Sequence, residues 1–231
     1  MMAEISVSLQ DGESKSFPQG TVVAEMLKEL VSGKQRKQTV AVRCNDRLID
    51  LATPLLEDAI LEPVLASSEA GAEILRHSTA HIMALAVKEL YGEQVKVAIG
   101  PAIEDGFYYD FDRETPFTPD DFEQIEAKMA ELAGAKLPFI RQEMSRDDAI
   151  RFFEQQGEVY KVELLREMEA ETVSTYTHGS FVDLCRGPHV PDSSWIKVFK
   201  LLRVAGSYWR GDEKRPMLTR IYGAAFADKK D

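Results

Sequence analysis

Residues 72–91 read AEILRHSTAHIMALAVKELY, and the fold expected of the chain turns on this stretch. Ile74, Leu75, Ile82, Leu85, Ala86 and Leu90 recur at a 3.6-residue period, and Gly92 follows the last turn. The spacing predicts one long helix. On both sides of it the period changes to two. Ile5, Val7 and Leu9 alternate upstream, and Val95, Val97 and Ile99, then Phe107, Tyr109 and Phe111, alternate downstream. A long helix among alternating segments predicts an α+β fold with antiparallel sheet.

Residues 1–65 read as a small unit of their own. Asp11-Gly12 is a hairpin-turn signal between the first strand and a second near Ser16-Phe17. Thr21 is placed to cap a helix through Val22, Met26, Leu27 and Leu30, with Gly33 past its end. Further strands are expected at 39–43, 47–49 and 60–64. Two strands, a helix and more strands in this order predict a ubiquitin-like β-grasp domain. The small, polar run ASSEAG at 66–71 reads as a linker. A larger α+β domain is expected over 66–195. Within it, Thr118-Pro119-Asp120-Asp121 and Ser145 with Asp148 mark two helix starts. The remaining 196–231 are expected to hold a helix, over about 195–204, and a basic, irregular linker.

Apolar residues make up 44% of the 231 and charged residues 29%, the proportions of an ordinary globular protein. No apolar run approaches the roughly 18–20 residues of a membrane span, and the N-terminus lacks a signal-peptide pattern. A cytoplasmic protein is expected, without a membrane partner. Cys44 and Cys185 are then thiols, and Cys44, inside TVAVRC, reads as a small buried one. A net charge of −11 argues against indiscriminate nucleic-acid binding. From Arg186 to Arg220, however, eight Lys/Arg face three Asp/Glu, with aromatics interleaved. That segment reads either as a solvated basic face or as an RNA-backbone contact.

The chemistry gathers in two short motifs. His77-Ser-Thr-Ala-His81 sets two imidazoles four apart, one turn apart on the same helix face. Cys185-Arg-Gly-Pro-His189 adds a thiol and a third imidazole in a turn. Such a set suits a tetrahedral zinc site, with His77, His81, Cys185 and His189 as ligands if a metal is present. It also suits an acid/base cluster working near neutral pH. Asp183 stands two before Cys185, so both side chains share a face of an extended segment. Taken alone, Lys161 reads as a surface lysine and Tyr109 as core. His178 reads as surface or structural.

HSTAHIMALAVKELYG, AIGPAIEDGFYYDFD, YKVELL and FVDLCRGPHV, in this order, resemble the editing domain of the threonyl-tRNA synthetase family. The first 65 residues resemble the TGS domain that precedes it there. The end, LLRVAGSYWRGDEKRPMLTRIYGAAFADKKD, resembles the linker before the family's aminoacylation domain. The resemblance implies an N-terminal fragment of a threonine-tRNA ligase. ATP and zinc would be needed only in the aminoacylation domain, which the chain lacks, and the editing part would work without a cofactor. The implied reaction removes serine from mischarged seryl-tRNA(Thr). It answers a physical problem, since one methyl group supplies only about 1–3 kcal/mol of discrimination in the synthetic pocket.

By the same resemblance His77 positions or deprotonates the attacking water, unless a ribose hydroxyl assists, and Lys161 stabilises developing charge. His81, Tyr109, Cys185 and His189 line the substrate pocket. Asp183 holds the substrate ammonium or orients a histidine, and Tyr176 stacks on adenosine. The partner implied is the acceptor end of tRNA(Thr), bound by a monomeric fragment of an enzyme that is a homodimer when whole. Two other readings stand beside this one. A zinc-dependent hydrolase of the alanyl-type editing class fits the ligand set, although the glutamate of an HExxH motif is missing. A non-catalytic RNA-binding or regulatory module fits the β-grasp unit and the basic segment.

Overall fold

In the computed structural model, residues 3–10 and 12–228 are described. The turn expected at Asp11-Gly12 therefore falls partly outside them, at Asp11. By their contacts the residues form two compact units. One takes in the chain up to Leu75 together with Gly187–Pro191, and the other holds Arg76–Arg186 and the residues from Asp192 on.

The first unit is a five-stranded sheet with a helix on one face. Its elements are β1 (Glu4–Leu9), β2 (Lys15–Pro18), α1 (Val23–Leu30), α2 (Gly33–Arg36), β3 (Thr39–Cys44), β4 (Arg47–Asp50) and β5 (Ala59–Leu65). The sheet order β2-β1-β5-β3-β4, with β1 parallel to β5, is that of a β-grasp. Period-two burial of Ile5 and Val7 sets one sheet face against Met26 and Leu27 of α1, with Val42 and Leu61 completing the core. Thr21 does not cap α1 as expected. Its hydroxyl donates to the Pro18 carbonyl, and the helix starts behind Val22. Nor does Gly33 close that helix; Ser32 caps a short α2 beginning at Gly33. Cys44 is only partly buried and packs against the core, where burial and then Glu57 hold its thiol above the ordinary range.

The expected linker is shorter than read, because α3 (Glu69–Tyr91) begins inside it. Ser68 starts the helix, accepting from the Gly71 N–H. Gly71 is required there, since a Cβ would lie 2.0 Å from the Leu65 carbonyl oxygen.

The second unit continues along α3 with β6 (Lys96–Val97), β7 (Ala102–Ile103), β8 (Gly106–Asp112), α4 (Phe122–Gly134), β9 (Ile140–Ser145), α5 (Arg146–Gln155) and α6 (Val159–Glu167). It closes with β10 (Thr172–His178), β11 (Phe181–Leu184), β12 (Val198–Tyr208) and β13 (Met217–Phe226). A three-stranded sheet runs β11-β10-β9, and a five-stranded one runs β12-β13-β8-β6 with β7 on β8. All their pairings are antiparallel. The capping box at Thr118 and Asp121 and the Ser145 cap are formed as read.

The expected helix over 195–204 and the irregular linker are corrected by β12 and β13. In the described part of this stretch, helical turns form only at Ser193–Trp195, before β12, and at Trp209–Gly211, between the two strands. The apolar run Val198, Phe199, Leu201, Leu202, Val204 fits either period, and the deciding partner is distant. β12 pairs with β13 from Val198↔Phe226 to Tyr208↔Met217, while β13 also pairs with β8. A ten-pair ladder to a β13 strand that β8 already holds outweighs a short amphipathic helix.

Candidate active site

The helical spacing of His77 and His81 puts their rings 4.8 Å apart on α3. The other side of the site comes from the β10–β11 pair. Asp183 stands opposite Tyr176, and the Cys185 N–H continues the ladder to the Ser174 carbonyl. By pleat alternation Ser174, Tyr176, His178, Phe181, Asp183 and Cys185 share one face, while Val173, Val182 and Leu184 turn to the core formed with α5 and α6. The shared face meets α3. His77 Nε2 lies 3.0 Å from Cys185 Sγ, and His81 Nε2 lies 3.5 Å from Asp183 Oδ2. His77 and Cys185 are half-buried, whereas His81 and Asp183 are each 2% exposed.

Below this rim lies a buried ionic group. Lys161, 3% exposed on α6, forms an ion pair with Asp183 Oδ1. The Tyr109 hydroxyl donates to Asp183 Oδ2 at 2.6 Å and accepts from Lys161 Nζ at 3.1 Å. Each member satisfies another, which is what permits two charges away from water. Burial, and then the Asp183 charge, hold the Tyr109 phenol well above its ordinary range, so it stays a proton donor. Lys161 is thus no surface lysine but part of the site's floor. Hydropathy conceals this, because only the partner across 22 residues of sequence reveals it.

Tyr176 is fully buried beside Asp183, and its ring offers no exposed face for an adenosine to stack on. His178 is not on the surface. It is 1% exposed, its Nε2 donates to the His81 carbonyl at 3.2 Å, and its ring stacks on Phe139. Burial lowers its pKa from 6.5 to about 4, so the ring is neutral and braces the backbone of His81. His189 falls among Gly187–Pro191, which group with the first unit. There it is 1% exposed, and its backbone N–H donates to Asp50 Oδ1 at 2.9 Å.

One contributor escaped the sequence reading. A Cβ on Gly100 would lie 2.1 Å from the Tyr109 ring, so this glycine seats the ring. The basic segment also changes meaning. Lys200 is held by Glu126, Arg210 by Glu163 and Glu167, Arg215 by Glu163, and Arg220 by both oxygens of Asp110. Arg203 lies 3.6 Å over the Tyr222 ring. These cations mostly serve the protein's own carboxylates and rings.

His77, His81 and Cys185 bring two imidazole nitrogens and a thiol within 4.8 Å of one another, a donor set that suits zinc. They equally suit proton transfer at a half-open rim above a dry, charged floor.

Residues 173–222 match a known family. Its description is the threonyl and alanyl tRNA synthetase second additional domain. Tyr176, His178, Asp183, Cys185 and His189 lie inside the match, and His77, His81, Tyr109 and Lys161 lie outside it. The whole chain is similar to proteins named threonine–tRNA ligase. It is 53% identical to that of Syntrophotalea carbinolica over 231 residues, covering all of this chain and 36% of the relative. It is 54% identical to that of Nitratidesulfovibrio vulgaris over 221 residues, covering 95% of this chain and 34% of the relative. The Citrifermentans bemidjiense protein is 52% identical over 230 residues, with 36% of its length covered. The chain therefore spans about a third of the length of the curated relatives it matches. Among the described residues no helix is long and apolar enough to cross a membrane.

Proposed function

We propose that the chain is an aminoacyl-tRNA deacylase that hydrolyses the ester of seryl-tRNA(Thr), the editing part of a threonine–tRNA ligase with residues 1–65 as its TGS domain. The observation that carries this reading is the juxtaposition of a half-buried His77–Cys185 pair with the buried Lys161–Asp183–Tyr109 group. The family match over 173–222 supports an aminoacyl-tRNA as the substrate.

In the proposed reaction His77 takes a proton from water as its oxygen attacks the seryl carbonyl carbon. The tetrahedral intermediate then loses the ribose oxygen, which takes the proton back, leaving free serine and tRNA. Lys161 brings positive charge near the developing oxyanion while its pairing with Asp183 keeps the site's net charge low. Tyr109 and Asp183 fix His81, which with Cys185 and His189 completes the pocket; Tyr176 packs behind it. The tRNA(Thr) acceptor end is the partner, and the chain acts as a monomer.

If zinc were bound to His77, His81, Cys185 and His189 it would supply an activated water. The metal-free reading is favoured by the 3.0 Å from His77 Nε2 to Cys185 Sγ. Two ligands of one tetrahedral zinc stand roughly 3.5 Å apart, whereas 3.0 Å suits a direct hydrogen bond.

Incubation with seryl- and threonyl-tRNA(Thr) tests the reading. Serine is released and threonine largely retained, and His77→Ala slows release by roughly 100-fold or more with the fold intact. An unchanged rate in His77→Ala refutes its role. One equivalent of zinc in protein purified without added metal would transfer water activation to the ion.

A further inference from the structure

We propose that Asp50, in the β-grasp unit, is a positioning residue for His189. The inference rests on the deacylase reading above, which counts His189 among its pocket residues.

Asp50 ends β4, directly after Ile49. Ile49 packs into the core on the α1 side, so alternation turns Asp50 to the opposite sheet face. Its cross-strand partner there is Ala41, which is fully buried. A carboxylate at this register is out of place by the sheet's own logic: it is 7% exposed on a strand whose neighbours are apolar. Burying a charge there is unfavourable unless it finds donors.

One donor it finds is the backbone N–H of His189, at 2.9 Å from Oδ1. A charged acceptor makes this bond stronger than an ordinary amide–carbonyl one. Pro188 carries no N–H, so His189 is the first residue after Gly187 that can donate. The bond holds the main chain at the residue that carries the imidazole. Gly187–Pro191 moreover groups by its contacts with residues up to Leu75, not with its own chain neighbours. The β-grasp unit thereby sets where the His189 main chain stands, and the Asp50 carboxylate is part of what holds it.

The test uses the full chain with Asp50→Ala, Asp50→Asn and Val42→Ala. Asn keeps an Oδ1 acceptor, and Val42 is a fully buried core residue of the same unit. Seryl-tRNA(Thr) deacylation gives kcat and KM, thermal unfolding gives stability, and amide hydrogen exchange reads the His189 N–H directly. Asp50→Ala is expected to lower kcat by roughly 10- to 100-fold with KM nearly unchanged, as misplacement of a reacting group does. Asp50→Asn should recover most of that loss. Val42→Ala should lower stability without lowering kcat. In Asp50→Ala, His189 amide exchange should accelerate beyond that of its neighbours. Wild-type kcat in Asp50→Ala, or a loss matched by Val42→Ala, overturns the proposal, and so does failure of Asn to rescue. Unchanged His189 exchange overturns the positioning itself. A wild-type chain that releases no serine overturns instead the deacylase reading, and with it the catalytic consequence of the bond.

Discussion

Replacing His178 with phenylalanine should invert the order of stability between variant and wild type as the pH falls. In the folded chain His178 titrates at about 4, chiefly because it is buried. The Asp183 charge and the bond to His81 oppose that shift, and His77 adds to it. In the unfolded chain the ring titrates near 6.5. The folded pKa is the lower one, so the unfolded chain takes the proton first. The stability linked to His178 is thus complete above about 6.5 and drains away as the pH falls toward 4. At pH 5 the deficit is about 1.5 pH units at 1.36 kcal/mol each, or about 2 kcal/mol. His178→Phe keeps a ring for Phe139 but removes the bond to the His81 carbonyl, at a cost of about 1 kcal/mol. At pH 7 the wild type should be the more stable by that amount, and at pH 5 the variant should lead by a similar amount. Urea unfolding at pH 7, 6 and 5 measures the difference. A gap that stays constant across this range refutes the neutral, buried assignment of His178.

Breaking the ionic floor should be far more damaging than removing it. Lys161→Met leaves the Asp183 carboxylate buried without its cation and should cost about 3–5 kcal/mol, whereas Lys161→Met with Asp183→Leu should regain most of that stability and no activity. Equal unfolding free energies for the single and double variants would contradict the pairing. Gly100→Ala forces a methyl group into the Tyr109 ring and should lose about 1–3 kcal/mol together with deacylation. A Gly100→Ala chain with wild-type melting and turnover would show that the ring's seat is not constrained there.

Where the chain repeats a period against a single partner, its sequence was readable. The stripe of Ile74, Ile82 and Leu85 required a helix, and the four-residue step from His77 to His81 placed both rings on one side of it. The two-residue step from Asp183 to Cys185 likewise put both on one face of a strand. What stayed hidden depended on distant partners. Lys161 is an ordinary lysine until Asp183 is beside it, and nothing in the sequence marks Asp50 until His189 donates to it. β12 reads as an amphipathic helix because only β13, beyond the Trp209–Gly211 turn, makes the extended form better. β9, IRQEMS, offers almost no buried residue to alternate and is ordered by its ladder to β10. The family resemblance supplied residue roles that these patterns alone left open.

The ion pairs along β12 and β13 bear on how this surface would meet RNA. Lysines and arginines that neutralise phosphates ordinarily set free the ions condensed on the nucleic acid, and each contact adds roughly 0.7–0.9 to the slope of log affinity against log salt. Lys200, Arg210, Arg215 and Arg220 already hold carboxylates. A guanidinium that leaves a carboxylate for a phosphate exchanges one anion for another, and the freed carboxylate gathers counterions of its own. Attachment through this strand pair would therefore respond weakly to ionic strength, and recognition of a tRNA would rest on fit and orientation more than on long-range attraction.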